Sequence, residues 1–436
     1  MNLLFVHERF GALAGAEANI RQTAAELKRR GHTVGLLHGP ATGKAEAEWR
    51  LAFAARFALP ANDGQFTVQA ACQHFKPDLI YVHKLANLPV LEALLAEEAP
   101  RVRMVHDHEL YCMRSYKYHY FSREICTRPA SPYCLFPCWA FLGRNHDGGL
   151  PVKWVSYPAK KKEIALNRRF DRLVVATDYM KEELLRNGFA PEKIEIHPPV
   201  PCLGDGSVCP SSVAELRSVN SSFSQRNLVV YAGQVTRGKG VDILLESLAL
   251  VQVPFECFIF GDGNHRPFCQ KLCRELGLEA RVHFKGFVPQ EELKHYYREA
   301  SVAVLSSVWP EPFGATGLEA MRYGVPVVAF DAGGIREWLS DGHNGFLAPW
   351  MNRAGLAARV ELLLRDKDLA RLMGQRGLRL VNERFGFSDY ITGLENMFAR
   401  LVEEVRSVKG EVRGPFGAPP LPPSPARSRA REEVAA

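Results

Sequence analysis

Short apolar or β-branched runs alternate along this chain with longer stretches of helical period, and they do so in two successive series. Such alternation argues for strands joined by crossover helices, hence parallel sheets with helices packed on both faces. In the first series the strand candidates are 3–6 (LLFV), 33–37 (TVGLL), 79–83 (LIYVH), 102–105 (VRMV) and 173–176 (LVVA), with helices near 17–30, 87–98 and 178–187. The second series has strands at 228–232 (LVVYA), 255–260 (FECFIF), 281–284 (RVHF), 302–305 (VAVL) and 325–330 (VPVVAF). Helices near 241–251, 265–276, 290–299, 317–323 and 353–365 alternate with these, and a last helix is expected over 388–406. The reading is α/β: two Rossmann-like, doubly wound domains, at 1–197 and 228–387. The chain's 436 residues exceed what one core usually serves. Residues 198–227, rich in Pro, Gly and Ser, read as the linker. The tail 410–436 has too few large apolar residues to pack and reads as disordered.

Charge and apolar content exclude several classes. A net charge of +7 suits phosphorylated ligands or an anionic membrane surface but is too small to argue for nucleic acid, and no zinc-finger spacing or basic tract supports that partner. No stretch approaches the roughly 20 apolar residues that span a bilayer, and the Met1–Val6 start lacks the features of a signal peptide. A cytoplasmic protein is expected, touching the inner face of a membrane at most. The segment 153–172 (KWVSYPAKKKEIALNRRFDR) suits either anionic lipid or simple solvation.

Ligands of open α/β sheets bind where strands end in loops that face a crevice. LVVYA runs into Gly233-Gln234-Val235-Thr236-Arg237-Gly238-Lys239-Gly240, a glycine-punctuated turn with two cations, suited to a pyrophosphate. FECFIF runs into Gly261-Asp262-Gly263, a tight turn. VAVL leads to Pro310-Glu311-Pro312-Phe313-Gly314-Ala315-Thr316-Gly317-Leu318-Glu319, where prolines and glycines fix an irregular loop before a helix. Two carboxylates, Glu311 and Glu319, stand with seven residues between them and suit the hydroxyls of a sugar and a ribose. Thr316 and Glu319 also fit a capping box, in which Glu319 merely serves the helix start.

The phrase EPFGATGLE resembles the E-x7-E signature of retaining family 4 (group 1) glycosyltransferases of the GT-B fold, and GQVTRGKG, FGDG, GFVPQEEL and AGGIREWL follow the family's order over 228–345. The resemblance implies a UDP-, GDP- or ADP-sugar donor held by the second domain. Glu311 would contact the donor sugar, Phe313, Gly314 and Ala315 the sugar or phosphate, and Glu319 the ribose. Lys239 would neutralise the diphosphate, Gly233, Gly261 and Asp262 would line the site, and the Phe287–Val288 backbone would face the base. The family often has Arg where this chain has Gln234; Arg237 is the candidate replacement. By the same resemblance the last helix crosses back onto the first domain, and no catalytic metal is expected. The one D-x-D triplet, Asp366-Lys367-Asp368, reads as a solvated turn.

On the first-domain side, Gly15 belongs to a loop that resembles the family's phosphate- or acceptor-facing turn, and an ordinary strand-to-helix turn fits equally. His106 corresponds to the family's cleft histidine, whereas His108 reads as a packed, satisfied residue. Cys112, Cys126, Cys134 and Cys138 fall within an insertion at 110–150. They suit either a structural four-thiolate zinc site or reduced cysteines beneath an acceptor loop. The reading is a retaining hexosyl- or related glycosyltransferase acting on a glycan or lipid-linked acceptor in cell-envelope polysaccharide synthesis. A GT-B epimerase or hydrolase, and a non-catalytic nucleotide-sugar-binding partner, are the alternatives.

Overall fold

A computed structural model describes residues 1–11, 15–60, 64–136, 138–144, 152–200 and 227–408. Most of the expected linker and the whole expected tail lie outside them. The first half of the chain forms β1 (Asn2–His7), β2 (Thr33–His38), β3 (Ala55–Ala58), β4 (Leu79–Val82), β5 (Arg101–Met104), β6 (Leu142–Arg144), β7 (Val152–Trp154), β8 (Arg172–Val175) and β9 (Ile194–Ile196). The second half forms β10 (Leu228–Ala232), β11 (Glu256–Phe260), β12 (Val282–Gly286), β13 (Val302–Leu305), β14 (Val327–Phe330) and β15 (Gly345–Ala348).

Seven strands make one parallel sheet in the order β3-β2-β1-β4-β5-β8-β9, and six make a second in the order β12-β11-β10-β13-β14-β15. Both orders reverse once, between β1 and β4 and between β10 and β13, which is the doubly wound arrangement. Strands β4 and β13 are buried along their whole length, as helices on both faces require. Strands β6 and β7 pair antiparallel as a separate two-stranded sheet, β6 within the insertion and β7 just past its end.

Several elements have no counterpart in the sequence reading: β3, β9, β15, the β6–β7 pair, and the helices Glu46–Ala52, Gly64–Phe75, Tyr157–Asn167 and Lys367–Arg384. The missed strands are only three or four residues long, too short to show a period. The helix Lys367–Arg384 corrects the reading of Asp366-Lys367-Asp368 as a solvated turn. Asp366 is its N-cap, accepting from the Leu369 amide at 2.8 Å, and Asp368 lies in its first turn.

The terminal helix Phe387–Val408 leaves the second sheet and packs on the first. Phe398 meets Tyr81 of β4 edge-on with ring centroids 5.1 Å apart. Arg30 reaches Glu395 at 2.7 Å and Arg406 reaches Asp78 at 2.6 Å. This helix returns the chain from the second sheet to the first.

Candidate active site

The carboxyl end of β10 opens into the turn Gly233–Gly240, and the end of β13 opens into Ser306–Phe313. These are the two loops at the second sheet's switch point. Backbone bonds lace them together, with the Val308 and Trp309 amides donating to the Gly238 carbonyl at 2.9 and 3.1 Å. Ser306 Oγ donates to the Lys239 carbonyl at 3.0 Å.

Glu311 sits at the centre, 4% exposed. Its backbone is pinned from β14's side: its amide donates to Ala332 at 3.1 Å, and the Gly334 amide donates to its carbonyl at 2.7 Å. The carboxylate receives Lys239 Nζ at 2.6 Å and the Ser307 hydroxyl. Burial alone would push this carboxyl up, but Lys239 and the donated hydrogen bonds hold it below its ordinary 4.5. Lys239 Nζ also stands 4.8 Å from the centroid of the Trp309 ring.

The helix Ala315–Arg322 starts at Gly314, whose φ of +78° is left-handed. Trp338 fills the space a side chain at Gly317 would need, and its indole N–H donates to the Phe313 carbonyl at 2.6 Å. Because the helix begins at Ala315, Thr316 lies inside the first turn and cannot be the N-cap, which rules out the capping-box reading. Glu319 makes no hydrogen bond to a described residue, and burial raises its carboxyl to about 7. A half-buried carboxylate without a partner at this position is free to accept from a ligand.

The remaining expected residues are distributed around these two loops. Gly261 lies so close to the Gly233 carbonyl that no side chain fits there. Asp262 is exposed and caps its own turn, accepting from the Gly263 amide at 2.7 Å. Phe287 is 67% exposed beside half-buried Val288. Gln234 is exposed, with its carbonyl held by the Tyr231 hydroxyl at 2.9 Å. Arg237 does not join Lys239: its guanidinium donates to the Tyr120 and Phe121 carbonyls of the insertion and lies 4.7 Å over the Tyr120 ring.

The first sheet closes over this site. His108 is fully buried, with Nε2 donating to the Pro310 carbonyl at 2.7 Å and Nδ1 lying 2.8 Å from the Tyr111 hydroxyl. Thr177 Oγ1 donates to the Pro312 carbonyl at 2.9 Å. The carbonyls on both sides of Glu311 are thus held by the opposite domain. The insertion adds a buried ion pair, Arg123 to Asp242 at 2.5 Å.

His106 lies just past β5 and lines a shallow notch together with His83, Lys84, Arg103, Asp107 and Glu109. Its Nε2 stands 2.9 Å from Nδ1 of His83, which follows β4. His7, at the end of β1, completes a row of three histidines at the first sheet's switch point. Burial, aided by Lys84 and Arg103, lowers His106 to about 3, and burial beside His106 and Lys84 lowers His7 to about 3. His83 falls for the same reasons, so all three rings are neutral at pH 7. His7, His83, Ser307 and Trp309 went unnoticed in the sequence. Position was the available signal for the two histidines, since each stands at a parallel strand's carboxyl end.

Gly15 is the first residue of the helix Gly15–Arg29, and the three residues before it lie outside the described ones. Among the described residues no group of three or more His, Cys, Asp or Glu side chains is arranged to hold a metal ion, so the four-cysteine zinc site finds no support. Cys112, Cys126, Cys134 and Cys138 are free and half-buried, and burial pushes the Cys134 and Cys138 thiols up.

Residues 14–199 match the model of the glycosyl transferase 4-like domain, and residues 212–379 that of glycosyl transferases group 1. Together the two matches span most of the chain, and each is to a glycosyl transferase model. It is 29% identical to a D-inositol 3-phosphate glycosyltransferase of Streptomyces bingchenggensis, over 55% of this chain and 56% of that protein. The chain spans about half the length of the curated relatives it matches. Among solved structures, HepE of Anabaena in complex with UDP superposes with a TM-score of 0.67 at 20% identity, covering 92% of this chain and all of HepE. Sucrose-phosphate synthase of Thermosynechococcus elongatus gives 0.67 at 18% identity, covering 92% of this chain and 99% of that one. At such identities these likenesses speak for the fold, which is GT-B.

Proposed function

We propose that this protein transfers a sugar from a nucleoside-diphosphate sugar to a glycan or lipid-linked acceptor, with retention at the anomeric carbon. The observation that carries the reading is the buried Lys239–Glu311 pair at the second switch point, beside the helix N-terminus at Ala315. Lys239 and Glu311 satisfy each other. An arriving diphosphate competes for Lys239, and the Glu311 carboxylate is then free to accept from hydroxyls of the transferred sugar. The helix N-terminus adds partial positive charge where the leaving group gathers negative charge. Glu319 takes the ribose in this scheme, and His106, neutral and held by His83, offers a donor from the opposite wall. HepE has been crystallised with UDP and with UDP-glucose, which favours a uridine donor.

A non-catalytic nucleotide-sugar-binding protein is the second reading, favoured by one observation: Gln234 is neutral and Arg237 is bonded to the insertion, leaving Lys239 as the only cation of that turn free of it. Thermal denaturation with UDP-, GDP- and ADP-sugars, followed by NMR of the products, separates the two. A shift with one nucleotide class and an α-product from an α-donor supports transfer with retention. A shift without turnover on any acceptor supports the second reading, and no shift with any donor refutes both.

A further inference from the structure

We propose that the insertion carries a bilayer-docking surface, built on an exposed aromatic ladder and directed at anionic phospholipid. Phe136, Trp139, Phe141 and Trp154 touch in sequence: centroids are 5.1 Å apart for Phe136–Trp139, 5.7 Å for Trp139–Phe141 and 5.5 Å for Phe141–Trp154, the last pair stacked. Phe136 is 62% exposed and Trp154 80%, with Leu142 beside them on β6 also exposed. Contiguous apolar surface of this kind marks a partner site, whereas single exposed residues need no explanation.

The ladder is held in place. Trp139 adopts φ +56°, a conformation that bulky residues rarely take, and Arg114 donates to the carbonyls of Cys138 and Trp139 at 3.0 and 3.1 Å. The base of the insertion is fixed by the buried Lys117–Glu183 pair at 2.8 Å and by Arg123–Asp242. Backbone strain that keeps a tryptophan ring at the surface serves no packing purpose inside the domain.

Charge decides the occupant. Residues 110–172 contain twelve Lys/Arg against four Asp/Glu, while the whole chain carries only +7, so its positive excess resides in this segment. Arg114, Arg128, Lys161, Arg168 and Arg169 have no carboxylate partner among the described residues. An aromatic ladder on a segment with this positive excess, with Arg114 bonded at its base, matches the headgroup region of an anionic leaflet, where indole and phenyl rings sit at the interface and basic side chains meet phosphate. A glycan partner would need acceptors as well as donors between the rings, and this ladder offers only the indole N–H groups of Trp139 and Trp154. A second copy of the chain would bring the same positive charge against itself.

The test is co-sedimentation of the full chain with vesicles of one part phosphatidylglycerol to two parts phosphatidylcholine, and with phosphatidylcholine alone. It needs no donor or acceptor, so it stands apart from the proposed transfer activity. The expected result is binding to the anionic vesicles that weakens with salt, with a blue shift of tryptophan emission. Trp154→Ser and Phe136→Ser should each lower partitioning about tenfold, with unchanged circular dichroism because both side chains are exposed. Lys161→Glu with Arg169→Glu should reduce binding to anionic vesicles only. Absence of wild-type binding, or unaltered binding by both aromatic variants, would overturn the proposal. So would self-association without vesicles that Trp154→Ser abolishes, or an emission shift caused by soluble oligosaccharide and not by vesicles.

Discussion

Lys239→Met isolates the interaction on which the site rests. In the wild type, Glu311 is 4% exposed and its carboxylate is matched by Lys239 at 2.6 Å. Removing the cation leaves a buried carboxylate with the Ser307 hydroxyl and little else. Breaking a buried pair from one side costs about 3–5 kcal/mol, and the partial exposure of Lys239 places this case near the lower end. At about 2–4 °C per kcal/mol for a domain of this size, a loss of about 3 kcal/mol lowers the melting temperature by about 6–12 °C at pH 7. The deficit must also depend on pH with a definite sign. In the wild type the folded carboxyl titrates below 4.5, so the pair stabilises above that pH and its contribution fades as pH falls through the lowered value. In the variant, burial acts unopposed and raises the carboxyl above 4.5, so folding is penalised at neutral pH and the penalty disappears in acid. The two proteins should therefore converge toward pH 4. Lys239→Met with Glu311→Gln should recover most of the loss at pH 7. Differential scanning calorimetry of the three proteins at pH 7 and pH 4.5 measures all of this. A drop under about 1 °C at pH 7, or a deficit that does not shrink in acid, would refute the argument.

Three further outcomes are expected. Glu319→Gln should stabilise the ligand-free protein by about 3 kcal/mol at pH 8, with little gain at pH 4.5. The raised carboxyl of about 7 makes the wild-type charge unfavourable only as pH rises past its ordinary value; equal gains at both pH values in urea titrations would contradict this. The buried histidines predict acid sensitivity: with His7 and His106 lowered to about 3 from 6.5, each costs about 1 kcal/mol of stability between pH 6.5 and 5.5. A flat urea midpoint over that interval would exclude it. Arg123→Ala leaves Asp242 buried with only His265 nearby, and should cost about 3 kcal/mol while loosening the contact between insertion and second domain. Faster proteolysis of the insertion is the readout, and an unchanged cleavage rate would show that other contacts hold it.

Much of this architecture is local and hence legible in the sequence. Runs such as LLFV and VAVL are apolar on both faces because helices cover both sides of a parallel sheet, and that burial is written residue by residue. The loop before Ala315 was legible for a similar reason: Gly314 needs a left-handed φ and Gly317 must leave room for Trp338, so the glycines mark backbone geometry directly. Strands β3 and β15 were not legible, because four residues beside an existing sheet edge owe their form to pairing partners distant in sequence.

The site shows the same division. Sequence alone singled out Glu311, Lys239 and Glu319 by residue type and spacing. Tertiary structure decided that Lys239 pairs with Glu311 while Arg237 turns to the Tyr120 carbonyl, although the two cations lie two residues apart. It also decided that His83, 23 residues from His106, meets it across adjacent strands, and that His108, 202 residues from Pro310, clamps the Glu311 loop. Such contacts arise from the packing of two sheets against each other, and no local pattern encodes which side chain will face which.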